Sequence, residues 1–216
     1  PLVAIGGGII QDITCFLATT VMRGLPWVFY PTTLLAQSDS CIGSKSSINS
    51  GEFKNILGTF SPPEQVIIDV DFLQTLKQRE IFSGIGEMLK VHAINSPESF
   101  NIISDAYEKI LNNPATMEEF IHSSLSMKKK LIEIDEFDQG PRNVMNYGHS
   151  FGHAIESATD YGIPHGIAVT IGMDIANFVA AELGVSDISH FERMHGVLEK
   201  NCKTYRHINI SVDSLL

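Results

Sequence analysis

Apolar positions follow two different periods along this chain, and the change falls near residue 76. Before it, short apolar runs at 2–5, 27–30 and 66–69 alternate with polar turns and an amphipathic stretch at 9–22. This alternation predicts an α/β domain with a parallel, buried sheet. From residue 77 onward, apolar residues recur every three or four positions, which predicts successive amphipathic helices. We therefore expect a partial α/β domain over 1–76 and an all-helical domain over 77–216.

Examples of the helices predicted in the second region are residues 78–94, 117–134, 148–159, 165–183 and 188–201. Prolines 97, 114, 141 and 164 separate them. At the other end, the chain opens with an apolar run that leads directly into three glycines. A strand of this kind needs neighbouring strands to form a stable sheet. The sequence thus predicts that the protein is incomplete at its front.

The three glycines, Gly6 to Gly8, lie between a predicted strand and a predicted helix. Glycine lets the backbone approach a ligand closely, and a helix N-terminus favours a bound phosphate. Gln11 breaks the usual GxGxxG spacing, so the turn alone is equally consistent with an ordinary tight turn. Thr32 and Thr33 follow the next strand, and open parallel sheets bind ligands at the carboxyl ends of their strands. Together the two segments favour a dinucleotide cleft.

A long polar loop follows, over residues 37–49, with a second polar run at 53–55. Lys45 and Lys54 could hold phosphates or a sugar, and Asp39 could accept hydrogen bonds from hydroxyls. An exposed loop without a ligand is the alternative. A long loop without secondary structure inside a compact domain, however, more often has a function.

Four polar side chains would share one helix face, within about 60° of one another at 3.6 residues per turn. They are Arg142, Asn146, His149 and His153. A solvated face is the alternative, but four such groups are costly to bury without a metal or a phosphorylated ligand. Gly148 and Gly152 would each cost a helix up to about 1 kcal/mol. We therefore expect something to approach the backbone closely at both glycines.

Glu87 lies within the predicted helix 78–94, among largely apolar neighbours. It could form an ordinary exposed pair with Lys90, three residues on. A buried carboxylate instead needs a partner, and one carboxylate with two imidazoles is typical of a catalytic divalent-metal site. His149, His153 and His165 are the candidates for the imidazoles. Spacing alone favours the i, i+4 pair of His149 and His153, and it leaves open which two bind the metal.

Composition excludes several classes of partner. The chain has 15 Lys and Arg against 25 Asp and Glu, a net charge of −10, which argues against nucleic acid but not against a small anionic ligand. No apolar run has the length of a membrane span and no signal peptide is recognisable. Cys15, Cys41 and Cys202 form neither a close pair nor a CxxC motif. Free thiols in the cytoplasm are the expectation.

Eight motifs along the chain resemble those of one enzyme family, dehydroquinate synthase and its sugar-phosphate cyclase relatives. In order they are GGGIIQD, VMRGLP, PTTLLAQSDS, GSKSSIN, FKN, GIGEMLK, RNVMNYGHSFGHAIE and HGIAVTIGM. The match spans nearly all of residues 1–185. The resemblance implies an NAD-binding α/β domain, then a helical metal-binding domain, with the active site between them. It also implies that the family's first strands and last helices lie outside this sequence.

The resemblance assigns roles to single residues. The metal ligands become Glu87, His149 and His165, and His153 becomes a residue for phosphate binding and acid–base chemistry. The implied NAD contacts are Gly8, Ile9, Ile10, Gln11, Asp12, Thr32, Thr33, Lys45, Lys54, Phe72, Leu73, Gln74 and Thr75. The implied substrate contacts are Asp39, Lys45, Asn55, Lys90, Lys128, Arg142 and Asn146. Arg23 matches an arginine that reaches the phosphate bound by a partner subunit, which implies a homodimer.

The implied activity is that of a carbon–oxygen lyase of the shikimate pathway, which leads to aromatic amino acids. With NAD and Zn²⁺ or Co²⁺, 3-deoxy-D-arabino-heptulosonate 7-phosphate would be cyclised to 3-dehydroquinate. A ring hydroxyl is transiently oxidised, phosphate leaves by β-elimination, the hydride returns, and an intramolecular aldol reaction closes the carbocycle.

Several positions depart from the pattern usual in the shikimate members. Residues 43–47 have GSKSS in place of GGKTG, Gln11 and Phe53 replace glycine, and Ile167 replaces glutamate. A related cyclase of secondary metabolism, acting on sedoheptulose 7-phosphate or glucose 6-phosphate, therefore remains an alternative. A metal-dependent polyol dehydrogenase is a more distant one, because those enzymes generally have Asp in place of Glu87. A non-catalytic remnant is a third, against which the intact metal ligands argue.

Overall fold

The computed structural model describes residues 1–50, 53–208 and 210, without the side chains of residues 49, 50 and 53–55. The side chains of Lys54 and Asn55, both assigned to ligands by resemblance, therefore lie outside the described residues.

The first region forms a small parallel sheet with a hairpin beside it. Its elements are β1 (Leu2–Gly6), α1 (Gly8–Thr20), β2 (Trp27–Pro31), a π-helix (Ala36–Ser40), β3 (Ile48–Ser50), β4 (Phe53–Leu57), β5 (Gln65–Val66) and a 3₁₀ helix (Val70–Thr75). The parallel sheet has the strand order β1-β2-β5, and β3 pairs with β4 in antiparallel fashion. The predicted parallel α/β arrangement is confirmed, although Val3 and Ile5 of β1 are exposed.

Two predictions for this region are wrong in part. The strand expected at 66–69 ends at Val66, because a 3₁₀ helix capped by the Asp69 side chain begins at Val70. The segment 37–49, expected to be a loop without secondary structure, has regular structure at its start. A π-helix occupies Ala36–Ser40, and its Gln37 side chain bonds to the carbonyl oxygens of Pro31 and Asp69.

The second region is helical, as predicted. Its elements are α2 (Gln78–Asn95), α3 (Pro97–Asn112), α4 (Pro114–Ile134), a 3₁₀ helix (Pro141–Asn146), α5 (His149–Ala158), α6 (His165–Glu182), α7 (Ile188–Cys202) and a second 3₁₀ helix (Lys203–Tyr205). The helices α3 and α4 begin at prolines that follow capping residues. The Ser96 and Asn113 side chains accept the backbone N–H groups of Ser99 and Thr116. Such caps define where a helix starts.

Helix α2 runs through the core of this region and packs against α3, α4, α6 and α7. Its residues from Ser83 to His92 are all buried. Ile85, Met88 and Leu89 belong to a cluster that also contains residues of α3, α4, α6 and α7. This burial confirms that Glu87 and Lys90 lie in the interior rather than forming an exposed pair.

Arg142, Asn146, His149 and His153 were expected to share one helix face, and this expectation is wrong. Arg142 and Asn146 lie on the 3₁₀ helix, and Gly148 interrupts the chain with φ 77° before α5 begins. A Cβ on Gly148 would lie 2.6 Å from Cγ of Met173, and one on Gly152 would lie 3.2 Å from Cα of Val169. Both glycines thus let α5 pack closely on α6, as the sequence predicted.

The described residues contain no helix that is both long and apolar enough to cross a membrane. The cysteines are free, and Cys15 and Cys41 are buried.

His92 should make stability depend on pH. Its ring is buried, with Nδ1 2.9 Å from Oγ of Ser99, and burial lowers its pKa below the usual value. The folded state therefore favours neutral His92. Its contribution is complete above about pH 6.5, the unfolded-state pKa, and falls by up to about 1.4 kcal/mol per pH unit below it.

Urea unfolding of wild type and His92→Gln at pH 7.5 and pH 5.5 would measure this difference. We expect the wild type to lose more stability on acidification than the variant does. His122→Gln, which changes an exposed histidine of α4, should behave like the wild type. Equal losses in the wild type and His92→Gln would contradict the prediction.

Candidate active site

Three side chains from three helices converge at one point. Glu87 comes from the middle of α2, His149 begins α5 and His165 begins α6. One ligand atom of each lies within 4.8 Å of those of the others. Helices α2 and α6 cross so closely that a Cβ on Gly86 would lie 2.1 Å from the Gly166 carbonyl oxygen. This crossing brings the two flanking residues, Glu87 and His165, together.

The Glu87 carboxylate is ionised and has one unused oxygen. Its Oε2 accepts a hydrogen bond of 2.5 Å from the buried Lys90 ammonium. Its Oε1 is buried, has no hydrogen-bond partner among the described residues, and lies 3.5 Å from Nε2 of His165. Burial alone would raise the pKa of Glu87, but the charge of Lys90 and the nearby histidines outweigh it, so the pKa is lowered. An orphaned carboxylate oxygen beside two imidazoles fits a divalent cation.

The pKa values of the two histidines of this group shift in opposite directions. Burial, with the nearby Lys90 charge, lowers the pKa of His149 to about 4. Nδ1 of His149 lies 3.2 Å from the Tyr147 carbonyl oxygen, so the tautomer that donates there leaves Nε2 free to bind a metal. Burial alone would lower the pKa of His165, but hydrogen bonding to Glu156 and the charge of Glu87 raise it.

His153 lies beside this group, with its ring centroid 5.2 Å from that of His149 and 5.9 Å from that of His165. The structure adds Glu156, which the sequence analysis missed. Oε1 of Glu156 lies 3.2 Å from Nδ1 of His165. Glu156 follows His153 by three positions and His149 by seven, so the three side chains fall on the same face of α5. This spacing could have identified Glu156 from the sequence.

A buried ion pair adjoins the three ligands. Nζ of Lys128 donates to the Asp39 carbonyl oxygen at 2.6 Å and lies 3.1 Å from the Asp39 carboxylate. Burial alone would raise the pKa of Asp39, but Lys128 and Lys90 together lower it to about 2. The π-helix thus brings Asp39 to the cations of α2 and α4. Arg142 is buried nearby and donates to the Glu136 carbonyl oxygen at 2.8 Å.

Lys45 has a partner that the sequence analysis did not foresee. Its ammonium lies 2.5 Å from the Asp138 carboxylate. Beside this ion pair, the rings of Phe60 and Phe137 meet edge to face, 5.1 Å apart. This ion pair joins Lys45 to the loop before the 3₁₀ helix of Arg142, and the contacts of Lys45 with a phosphate or a sugar stay predictions.

Two adjoining cavities surround these groups. The first, of about 740 Å³, is lined on its polar side by Asp12, Asp39, Lys45, Asn146, His149, His153, Glu156 and His165. The second, of about 670 Å³, lies between the glycine turn and α2 and is lined by Gly7, Gly8, Ile9, Ile10 and Thr33, among others. Ile9, Tyr161 and His165 line both. The cavity at the glycine turn, where a dinucleotide was predicted to bind, therefore opens beside Glu87, His149 and His165, the three candidate metal ligands.

Other predicted NAD contacts have partners within the protein or lie outside these two cavities. Gln11 is buried against the π-helix, where its Nε2 donates to the Ser40 carbonyl oxygen at 2.6 Å. Asp12 accepts the Ser47 backbone N–H at 3.0 Å, and the Thr32 N–H donates to the Gly6 carbonyl oxygen. Residues 72–75 belong to the 3₁₀ helix, where Leu73 and Gln74 line a separate cavity of about 280 Å³. Their contacts with NAD stay predictions.

Comparison with known proteins assigns both regions to related families. A family model described as 3-dehydroquinate synthase N-terminal matches residues 1–83, and one described as 3-dehydroquinate synthase C-terminal matches residues 84–216. The 3-dehydroquinate synthase of Lactococcus lactis subsp. cremoris (strain MG1363) is 40% identical over 201 residues, which are 92% of this chain and 56% of that protein. The chain thus spans about half the length of this relative.

Solved structures of similar shape come from related cyclases. ValA, the 2-epi-5-epi-valiolone synthase of Streptomyces hygroscopicus subsp. jinggangensis 5008, solved with NAD⁺ and Zn²⁺, has a TM-score of 0.89 at 28% identity over 100% of this chain and 60% of that one. A 2-deoxy-scyllo-inosose synthase, solved with carbaglucose-6-phosphate, NAD⁺ and Co²⁺, has a TM-score of 0.84 at 28% identity, covering 99% of this chain and 59% of that one.

Proposed function

Because this chain belongs to the 3-dehydroquinate synthase family, we propose that its protein cyclises 3-deoxy-D-arabino-heptulosonate 7-phosphate to 3-dehydroquinate and releases phosphate. The convergence of Glu87, His149 and His165 beside the cavity of the glycine turn is the observation on which this proposal rests. The curated relative from Lactococcus, at 40% identity, bears the name of this enzyme. The proposal concerns the activity of the whole enzyme, whereas this chain spans 56% of the length of that relative.

NAD and a divalent cation are the proposed cofactors. When bound, NAD accepts and returns a hydride, and the cation acts as a Lewis acid on the substrate oxygens. Glu87, His149 and His165 would hold the cation, and one carboxylate with two imidazoles suits Zn²⁺ or Co²⁺. Gly8, Ile9 and the neighbouring lining residues would hold NAD. The valiolone and inosose synthases, solved with NAD⁺ and with Zn²⁺ or Co²⁺, support both assignments.

The remaining polar residues would bind and orient the sugar phosphate. Lys90 and Lys128 carry buried positive charges next to Asp39, which suits them to a carboxylate and to ring hydroxyls. Arg142 would form two parallel hydrogen bonds to the substrate if its hydrogen bond to the Glu136 carbonyl oxygen opened. His153 faces the cavity, where an imidazole can hold or move a proton near neutral pH. Holding one flexible substrate in place would supply much of the rate acceleration.

We further propose that the protein is a homodimer in which Arg23 reaches a phosphate bound by the second copy. Arg23 follows α1 on a turn where Met22 has φ 52° and Arg23 has φ 67°. Met22 is 80% exposed. Two successive non-glycine residues in the left-handed region cost of order 1–3 kcal/mol each, and such strain is often found at functional positions. The turn is thus suited to present Arg23 outward.

The expected division into domains stays a proposal, with a nucleotide-binding domain over 1–76 and a metal- and substrate-binding domain over 77–216. A cytoplasmic location is proposed with it, on the basis of the free cysteines.

A related cyclase is the second candidate function. The shape similarity to the valiolone synthase, with a TM-score of 0.89, and the GSKSS loop at 43–47 favour it. The 28% identity of that structure is lower than the 40% identity to the Lactococcus enzyme, so the 3-dehydroquinate synthase activity is preferred.

Phosphate release would test the choice of substrate. The protein, with NAD and Zn²⁺ or Co²⁺, is offered 3-deoxy-D-arabino-heptulosonate 7-phosphate, sedoheptulose 7-phosphate and glucose 6-phosphate in separate reactions. We expect phosphate from the first alone, without net NADH. Phosphate from one of the other two would assign the protein to the second candidate. Accumulation of NADH with glycerol would instead indicate a polyol dehydrogenase.

A further inference from the structure

His165 lies between two carboxylates, one on each side of its ring. Its Nε2 lies 3.5 Å from Oε1 of Glu87, on the side of the proposed metal. Its Nδ1 lies 3.2 Å from Oε1 of Glu156. Glu156 is only 6% exposed, so little water competes for this contact. The orientation of the ring is therefore fixed from the side opposite to the proposed metal.

We propose that Glu156 is a positioning residue that keeps the proton of His165 on Nδ1 and directs the lone pair of Nε2 between Glu87 and His149. This inference rests on the proposed metal site. An imidazole has one N–H when neutral, and the bond made by one nitrogen decides whether the other can bind a metal. A carboxylate behind a metal-binding histidine fixes both the tautomer and the ring orientation and makes the histidine a stronger ligand.

Without Glu156, few contacts would fix the orientation of the His165 ring. The side chain of His165 is 35% exposed, and its position at the start of α6 leaves it on the wall of both cavities. His149 differs in this respect, because its Nδ1 lies against the backbone carbonyl oxygen of Tyr147. Each of the two histidines would thus have its own acceptor behind it, a main-chain carbonyl for one and a carboxylate for the other.

A different role for Glu156 also has a geometric basis. His153, Glu156 and His165 offer ligand atoms within 4.8 Å of one another, as a second cation site would require. Filling both sites would use Nε2 of His165 for one cation and Nδ1 for the other. The ring would then lose both protons and become a bridging imidazolate. A hydrogen bond from Nδ1–H to Glu156 needs no such deprotonation, so positioning is the inference we retain.

This role is tested by measuring the Zn²⁺ affinity of the Glu156→Gln variant in competition with a chelator of known affinity. Glutamine keeps the shape and removes the charge, and we expect the Zn²⁺ affinity to fall about 10- to 100-fold. Asp174→Asn is the matched control, because Asp174 also lies against an imidazole, 2.9 Å from Nδ1 of His195, outside both cavities. We expect that variant to bind Zn²⁺ like the wild type.

A spectroscopic measurement separates positioning from general support of the fold. Nitrogen-15 NMR of the metal-free protein, at alkaline pH where the imidazoles are neutral, reports which nitrogen of His165 carries the proton. We expect Nδ1–H in the wild type and a mixture of tautomers in Glu156→Gln, with unchanged circular dichroism.

Three outcomes would overturn the inference. Unchanged Zn²⁺ affinity and tautomer in Glu156→Gln would do so while leaving the proposed metal site intact. Two equivalents of Zn²⁺ in the wild type, with one lost in the variant, would make Glu156 a ligand instead. A wild type that binds no Zn²⁺ would refute the proposed function itself, and the inference with it.

Discussion

Glu87→Gln should weaken Zn²⁺ binding more than a hundredfold and abolish phosphate release. The change removes the one carboxylate among the three proposed ligands. Mutating a residue that only hydrogen-bonds to a metal ligand lowers metal affinity roughly 10- to 100-fold, and losing a ligand itself should lower it further. It also leaves Lys90 buried without its counter-ion. Removing one partner of a buried ion pair typically costs about 3–5 kcal/mol, so the free energy of unfolding should fall as well.

Lys90→Met separates these two effects. It breaks the same ion pair from the other side but leaves the Glu87 carboxylate in place. We expect a comparable loss of stability by urea unfolding, with much tighter Zn²⁺ binding than in Glu87→Gln. Equal Zn²⁺ affinities in the two variants would refute the assignment of Glu87 as a ligand.

Gly166→Ala should destabilise the protein by about 3 kcal/mol or more and weaken Zn²⁺ binding with it. The new Cβ would lie 1.8 Å from the Ser83 carbonyl oxygen on α2. Overpacking costs about 1–3 kcal/mol, occasionally more, and a backbone atom cannot move aside as a side chain can. Since Gly166 follows His165 and the opposing Gly86 precedes Glu87, any separation of α2 from α6 draws two proposed ligands apart.

Gly196→Ala provides the control for this prediction. Gly196 lies within α7, where an added Cβ meets no atom of the described residues within 4 Å. Alanine there should be neutral or stabilise the helix by up to about 1 kcal/mol. Urea unfolding and chelator competition on both variants would check the pair of expectations. A Gly166→Ala protein as stable as Gly196→Ala would contradict the close crossing of α2 and α6.

The fold class followed from the sequence because local signals define its elements. The apolar period distinguished strands from helices, but α3 was not among the helices named from the sequence, and α4 begins at Pro114 rather than at the expected residue 117. The helix face expected to carry Arg142, Asn146, His149 and His153 was wrong, because Gly148 separates the 3₁₀ helix of the first two residues from α5. Gly148 adopts a left-handed conformation, which a helical period does not reveal.

The candidate site could be predicted only in part. Spacing within one helix favoured His149 with His153, whereas Glu87 and His165 come from helices distant in the sequence and meet where glycines allow close packing. The family resemblance supplied this set, and local pattern did not. Contacts between distant loops, such as Lys45 with Asp138, left no periodic signal. Glu156 was also missed, although its place on the same face of α5 as His149 and His153 was visible in the sequence.

Anomalous diffraction at the zinc edge, from crystals grown with Zn²⁺ and NAD, would test the central claim most directly. We predict a single strong peak bounded by Glu87, His149 and His165, at the wall shared by the two cavities. A peak between His153 and Glu156 alone, or no peak near these residues, would contradict the assignment of the metal site and the function proposed from it.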